Sequence, residues 1–203
     1  MKRSPASPVA AKRAARGAHA RELRIIAGRW RGRRLRFPAA SPIRPTPDRV
    51  RETLFNWLQG RIEGSRCLDL FAGSGALGLE ALSRGAAAVV FVESDAAAVR
   101  ALRAVLAEWG GSGGSVMQMD AARFLGQAPQ AFDLVFLDPP FAAGLLADSG
   151  AQLQAGGWLA PGARIYVERA RRDPAPELPA AWRELRSGKA GEVSYHLYEC
   201  GSG

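Results

Sequence analysis

Two short stretches of this chain carry residue types and spacings suited to one chemistry. The first is Leu68-Asp69-Leu70-Phe71-Ala72-Gly73-Ser74-Gly75-Ala76-Leu77-Gly78, and the second is Phe132-Asp133-Leu134-Val135-Phe136-Leu137-Asp138-Pro139-Pro140-Phe141. An apolar run entering Gly-x-Gly-x-x-Gly predicts a strand, a tight turn and a helix start. Its glycines let the backbone approach a nucleotide-like ligand closely. NAD enzymes share that pattern. The second stretch also ends a strand, but on an acid, two prolines and an aromatic ring. Such an ending suits a flat, amine-bearing base and has no evident place in hydride transfer. Together the two stretches point to methyl transfer onto a nucleobase amine.

That reaction is hard because the amine lone pair is delocalised into the ring. The nitrogen must be held in line with the methyl group, at roughly 3–3.5 Å. Asp138 can accept one amine hydrogen and the carbonyl of Pro139 another, turning the lone pair toward the methyl. Pro139 keeps Asp138 extended, and both prolines fix their own φ. Phe141 offers a face on which a base taken out of its helix can stack. The methyl is already activated by a positive sulfur, so no metal and no covalent nucleophile are expected. The plain alternative is an ordinary turn, since Pro-Pro often ends a strand. Beside a glycine turn the catalytic reading is preferred.

Ligands of open α/β sheets sit beyond the carboxyl ends of the strands. Four acids end or follow strands predicted here: Asp69, Glu93, Asp120 and Asp138. Glu93 comes twenty positions after Gly73, where an acid can accept hydrogen bonds from ribose hydroxyls. Asp120 could bind an adenine amine. Asp69 could fix the glycine loop or meet a cationic group of the ligand, and Phe71 belongs to the same cofactor-binding stretch. Each acid could instead be a solvent-facing cap, but their shared position beside the glycine turn argues for a site.

The elements that must position these residues alternate from Arg66 onward. Strands are predicted at Cys67–Phe71, Ala88–Val92, Ser115–Met119, Phe132–Leu137 and Arg164–Val167, and helices at roughly 75–84, 95–109, 121–126 and 142–155. Apolar strands alternating with helices predict a parallel sheet covered on both faces. The end differs, because Trp182–Arg186 and Glu192–Glu199 flank Gly188-Lys189-Ala190-Gly191 and predict an antiparallel hairpin.

Charge divides the chain unevenly. Of the net +9, residues 1–36 supply +11 (12 Lys/Arg against Glu22 alone), and the remainder supplies −2 (16 Lys/Arg against 18 acids). A polyanion, most simply nucleic acid, is the implied partner. Residues 1–20 are expected to form a disordered basic tail; a solubilising role or a transit peptide would suit the same composition. Residues 23–37 predict a hairpin around Gly28 and Gly32, with Ile25, Ile26, Leu35 and Phe37 packing inward. Arg29, Arg31, Arg33, Arg34 and Arg36 would line its exposed side with Trp30 among them, gripping phosphates and stacking on an unpaired base. A basic edge that merely prevents aggregation is the alternative. Arg44-Pro45-Thr46-Pro47-Asp48 then opens a helix, with Thr46 as cap, Pro47 as first helical residue and Asp48 at the positive end of the dipole. Val50, Leu54, Trp57 and Leu58 form its apolar face. The organisation expected is therefore a tail over 1–20, a hairpin and helix extension over 21–60, and a main domain over 61–203.

Cys67 and Cys200 lack metal or disulfide spacing, and Cys67 is expected to be a packing residue. No stretch suggests a membrane span or a secretory signal, so the expected compartment is the cytoplasm.

The residues Arg24-Ile25-Ile26-Ala27-Gly28-Arg29-Trp30-Arg31-Gly32-Arg33, Arg44-Pro45-Thr46-Pro47-Asp48-Arg49-Val50-Arg51-Glu52-Thr53-Leu54-Phe55-Asn56-Trp57-Leu58, the glycine stretch and Asp138-Pro139-Pro140-Phe141 occur in an order that resembles the bacterial RsmD-type enzymes. That family methylates N2 of guanine 966 in 16S ribosomal RNA with S-adenosylmethionine, leaving S-adenosylhomocysteine. The resemblance spans roughly 22–200. It implies an α/β class I methyltransferase with a Rossmann-like sheet of seven strands, the last antiparallel. It implies that Gly73, Gly75 and Glu93 bind cofactor with Asp120 near the adenine, and that Asp138, Pro139 and Phe141 hold the target base. It also implies that Thr46 and Arg49 close over the cofactor side, and that the partner is 16S rRNA in the small ribosomal subunit. The enzyme is expected to act as a monomer without metal or membrane. Ala27-Gly28 departs from the commoner Gly-Gly, and residues 1–20 have no counterpart.

The nearest rival is a DNA adenine-N6 or other amine methyltransferase, which shares an Asp/Asn-Pro-Pro-aromatic site. The single helix that fits after Phe141 leaves little room for a target-recognition segment. An NAD-dependent oxidoreductase would leave Asp138-Pro139-Pro140-Phe141 without a role. A non-catalytic RNA-binding factor would not need an intact Asp138 beside a glycine turn.

Overall fold

The computed structural model describes residues 21–37, 47–140 and 144–201. Seven strands form one sheet: β3 (Arg66–Asp69), β4 (Ala88–Glu93), β5 (Gly114–Gln118), β6 (Phe132–Leu137), β7 (Leu159–Ala170), β8 (Trp182–Ala190) and β9 (Val193–Cys200). Their spatial order is β5-β4-β3-β6-β7-β9-β8, with β9 antiparallel to both neighbours and the other pairings parallel. The expected sheet is present. From β3 the chain moves outward to β4 and β5, then returns to place β6 on the other side of β3. That reversal opens a crevice at the carboxyl ends of β3 and β6.

Five helices follow in chain order: α1 (Asp48–Trp57), α2 (Ala76–Ser83), α3 (Ala96–Trp109), α4 (Ala121–Leu125) and α5 (Leu145–Ala155). Strand residues alternate between two apolar layers because successive side chains point to opposite faces. Cys67, Val89, Phe91, Leu134 and Phe136 pack with α1, α2 and α3, whereas Leu68, Val92, Val135 and Leu137 pack with α4 and α5. Cys67 is a packing residue as expected, and burial pushes its thiol up to about 12.

Several boundaries differ from expectation. Strand β8, expected to end at Arg186 before a turn over Gly188-Lys189-Ala190-Gly191, continues to Ala190 because β9 pairs with it that far. Strand β7 extends well beyond 164–167: its early part bulges where Phe132 pairs with Leu159 but Leu134 with Arg164. Its polar end stays extended because β9 pairs with it as far as Ala170. In α1 the cap position belongs to Pro47, whose carbonyl accepts from Val50 and Arg51, so Pro47 is not the first helical residue. Thr46, expected as cap, lies outside the described residues, as do residues 1–20.

The N-terminal hairpin pairs β1 (Arg21–Arg24) with β2 (Arg34–Phe37) and closes over residues 25–33. Leu23, Ile25 and Leu35 are buried in the same core as α1 and α2, and Ile26 is half-buried; the side chain of Phe37 is outside the described set. The turn docks on the carboxyl end of α2. The Arg29 N–H donates to the Ser83 carbonyl at 2.8 Å, and the Ser83 hydroxyl donates to the Ala27 carbonyl. Gly28 is required there: its φ is +81°, and a Cβ would lie 1.8 Å from the Ser83 oxygen. Ala27 is tolerated where Gly-Gly is commoner, because no non-glycine residue among those described needs a positive φ.

A buried ionic node fastens this extension. The Glu80 carboxylate on α2 accepts from the N–H groups of Ile26 (2.9 Å) and Ala27 (3.0 Å), and from the guanidinium groups of Arg84 (2.8 Å) and Arg51 (3.5 Å). Arg51, fully buried on α1, also donates to the Arg24 carbonyl and to Asp48.

Candidate active site

A cleft of about 730 Å³ opens at the crevice between β3 and β6. Its walls include Asp69, Phe71, Gly73, Glu93, Asp120, Asp138 and Pro139, so both motifs reach one cavity. That volume lies within the range of sites for small molecules and cofactors.

The glycine turn is held by the acids around it. Gly75 takes φ +74° as the residue before α2, a left-handed conformation that favours glycine. A Cβ at Gly78 would lie 2.3 Å from the Phe91 ring, so this glycine permits close packing of helix on strand. Asp69 accepts from the Gly78 N–H at 2.9 Å and is buried, which is the loop-fixing role. Burial raises its carboxyl to about 7; the Gly78 bond opposes the rise, while the charges of Asp138 and Glu93 add to it. Glu93 accepts from the N–H groups of Gly73 and Asp95, both at 2.7 Å, which ties the loop to the end of β4. The Ser94 hydroxyl donates to Glu93 as well, at 3.5 Å; a carboxylate has about four lone-pair sites, so acceptor capacity remains for a ribose hydroxyl. Asp120 caps α4 by accepting from the Arg123 N–H at 2.8 Å while also lining the cleft. The capping reading and the site reading therefore hold together at that position.

Asp138 and Pro139 follow β6 directly and border the cleft. Phe141 lies outside the described residues. Some expected site residues are placed elsewhere. Gly75 shapes the turn without lining the cavity, and Arg49 is exposed and does not line it, although Pro47 does. Trp30 is a correction: it is only 3% exposed, packs edge-on against Trp109 with centroids 5.5 Å apart, and donates from Nε1 to the Trp109 carbonyl. It has no face to offer a base. The basic residues on either side of it suggested exposure, but inside a turn the strand alternation no longer applies. Arg29, Arg31, Arg33 and Arg34 are exposed as expected; Arg29 covers the Trp30 ring at 4.4 Å and Arg34 pairs with Glu22.

Among the wall residues not selected from the sequence is one further acid at a strand end. Glu168, near the end of β7, is 4% exposed, lines the cleft, and accepts from the Tyr166 hydroxyl at 2.7 Å. It directly follows a strand predicted to end at Val167, so the rule that selected the other four acids would have selected it. Among the described residues no cluster of His, Cys, Asp and Glu is arranged to hold a metal ion, and no helix is long and apolar enough to cross a membrane.

Known proteins share this arrangement. A family model described as Conserved hypothetical protein 95 matches residues 23–199. Ribosomal RNA small subunit methyltransferase D of Escherichia coli K12 is 48% identical over 178 residues, covering 88% of this chain and 90% of that protein. The Haemophilus influenzae protein of the same name is 44% identical, with coverages of 88% and 94%. The solved structure of Escherichia coli yhhF superposes with a TM-score of 0.82 at 46% identity, covering 89% of this chain and 98% of that one.

Proposed function

Because this chain belongs to the Conserved hypothetical protein 95 family, with the small-subunit ribosomal RNA methyltransferases D among its relatives, we propose that it transfers a methyl group from S-adenosylmethionine to N2 of one guanine in 16S rRNA. The observation that carries the reading is the shared cleft, with the glycine loop and the Asp138-Pro139 corner in one cavity. The residues present fit the methyl donor. Glu93 offers acceptor capacity for a ribose hydroxyl, Asp120 lies where an adenine amine can reach it, and the Gly73 loop leaves room for the ligand beside the backbone. When bound, S-adenosylmethionine supplies an electrophilic methyl on a positive sulfur.

The chain's own residues then prepare the nitrogen. Asp138 accepts one N2 hydrogen and the Pro139 carbonyl the other, which aligns the lone pair with the methyl carbon. On taking the methyl, with the sulfur leaving as a neutral thioether, the nitrogen would become cationic and would pass one proton to the Asp138 carboxylate or through it to water. The carboxylate of Asp138 stabilises that charge, and Pro139 holds the acid in place. Phe141 stacks on the extruded base. The resemblance assigns Thr46 and Arg49 to the cofactor side.

The basic turn grips RNA at a distance from this chemistry. It docks at Ser83, the last residue of α2, whose first residue Ala76 lines the cleft. Eight residues of helix span roughly 12 Å, so Arg29, Arg31, Arg33 and Arg34 hold backbone phosphates while the base enters the cavity. The proposed partner is 16S rRNA in the small ribosomal subunit, with the protein acting as a monomer in the cytoplasm. Incubating small ribosomal subunits, naked 16S rRNA and duplex DNA with the protein and labelled cofactor tests the proposal. Nucleoside mass spectrometry is expected to find N2-methylguanosine in 16S rRNA. Preferential labelling of adenine in DNA would overturn it.

A further inference from the structure

Methyl transfer to a guanine amine requires more than a grip on the amine, because adenine also carries one. We infer that Glu168 selects guanine by accepting the hydrogen bond from its N1–H while Asp138 accepts from N2. This rests on the proposed guanine-N2 chemistry and goes beyond it by assigning the residue that recognises the base.

The placement follows from register. Strands β6 and β7 run parallel, with Phe136 opposite Tyr166 and Leu137 opposite Val167. Asp138 directly follows β6 and Glu168 continues β7, so the two acids come one residue after the Leu137–Val167 pair on neighbouring chain segments. Neighbouring strands lie about 4.8 Å apart, close enough for two carboxylate side chains to meet donors on N1 and N2, which are both bonded to C2 of the base. Both acids line the cleft, and the charge of each helps to raise the Tyr166 hydroxyl well above its usual value, after burial as the largest cause.

The chemistry of the edge makes the pair selective. Guanine presents two neighbouring donors, N1–H and the N2 amine. Adenine presents an amine beside the lone pair of N1, which a carboxylate repels. A site with two carboxylates side by side accepts the first edge and rejects the second, since a buried acceptor left facing another acceptor is costly. Tyr166 is the positioning residue: it sits two places back on the same strand and donates to Glu168 Oε2 at 2.7 Å, which fixes one oxygen and aims the carboxylate.

The test uses small subunits reconstituted with 16S rRNA carrying either guanine or 2-aminopurine at the methylated position. 2-Aminopurine keeps the amine but has an acceptor at N1. Single-turnover methylation by the wild-type protein is expected to favour guanine strongly. Glu168→Gln keeps its amide oxygen on the Tyr166 hydroxyl and turns an N–H toward the base. It should lose about 10- to 100-fold on guanine, gain on 2-aminopurine, and bind S-adenosylhomocysteine normally. An equal loss on both substrates, or no loss on guanine, would overturn the assignment. If Glu168→Gln fails to fold, Tyr166→Phe decides the matter: a smaller shift of the same ratio supports the assignment, and an unchanged ratio refutes it. If the wild-type protein makes no N2-methylguanosine on the guanine substrate, the proposed function itself falls and this assignment with it. If it does, and the variants keep the wild-type ratio, only the assignment falls.

Discussion

Two buried carboxylates flank helix α2, Asp69 of β3 beside its amino end and Glu80 toward its carboxyl end, and they are used in opposite ways. At the amino end, Asp69 takes one backbone N–H from Gly78, and its neighbours Glu93, Asp120, Asp138 and Glu168 all border an open cavity. Toward the carboxyl end, Glu80 is surrounded by protein donors: two backbone N–H groups and two guanidinium groups. The first group keeps acceptor capacity facing space that a ligand can fill. The second is committed to clamping the hairpin and α1 onto the domain. Burial of an acid is therefore not what marks a site; acceptor capacity opening into a cavity is.

Substitutions at the two ends should separate along that line. The largest effect is expected at the open end: Asp138→Ala should cut single-turnover methylation by about 10²- to 10⁴-fold while calorimetry still detects cofactor binding. Near-normal turnover would remove Asp138 from the chemistry. At the closed end, Glu80→Ala removes the buried carboxylate shared by Arg51, Arg84 and the hairpin N–H groups, leaving Arg51 only Asp48 and the Arg24 carbonyl, and urea unfolding should show a loss of about 3–5 kcal/mol. Cofactor affinity per folded molecule should hardly move. An unchanged unfolding midpoint would show that the node does not clamp the extension.

Asp69 sharpens the contrast through pH. Its folded-state value of about 7 lies above the ordinary 3.8, so the folded protein holds more protons than the unfolded chain between those limits. Its contribution to stability is complete below about pH 4 and is lost as pH rises through about 7. Asp69→Asn should gain stability relative to wild type across that window, by roughly 4 kcal/mol at most. A difference that stays constant with pH would contradict the raised value. The smallest effect belongs to the basic turn. Replacing Arg31, Arg33 and Arg34 with Ala should weaken RNA binding by about tenfold at moderate salt and lower the salt slope by up to about 2–3. An unaltered slope would show that the turn does not touch phosphate.

The inner parallel strands β3, β4 and β6 were legible because a strand buried on both faces is an apolar run, and each was bounded by glycine, proline or an acid. The cofactor loop and the Asp138 corner were legible for the same reason, being local signals beside such runs. What escaped depends on long-range neighbours. The extension of β7 through Glu168-Arg169-Ala170 exists because β9 pairs with it, and the local residues are too polar to announce a strand. Trp30 reads as exposed among arginines until Trp109, seventy-nine residues away, is placed beside it. Arg51 and Glu80 look like solvent-facing helix charges until the hairpin closes over them.

The cleft's dual nature can be tested by titrating the protein with a single molecule that joins the 5′ carbon of adenosine to N2 of guanine. One cavity holding both halves predicts binding at least about 100-fold tighter than that of S-adenosylhomocysteine alone, with Asp138→Ala abolishing the gain. Binding no tighter than S-adenosylhomocysteine, and indifferent to Asp138→Ala, would contradict it.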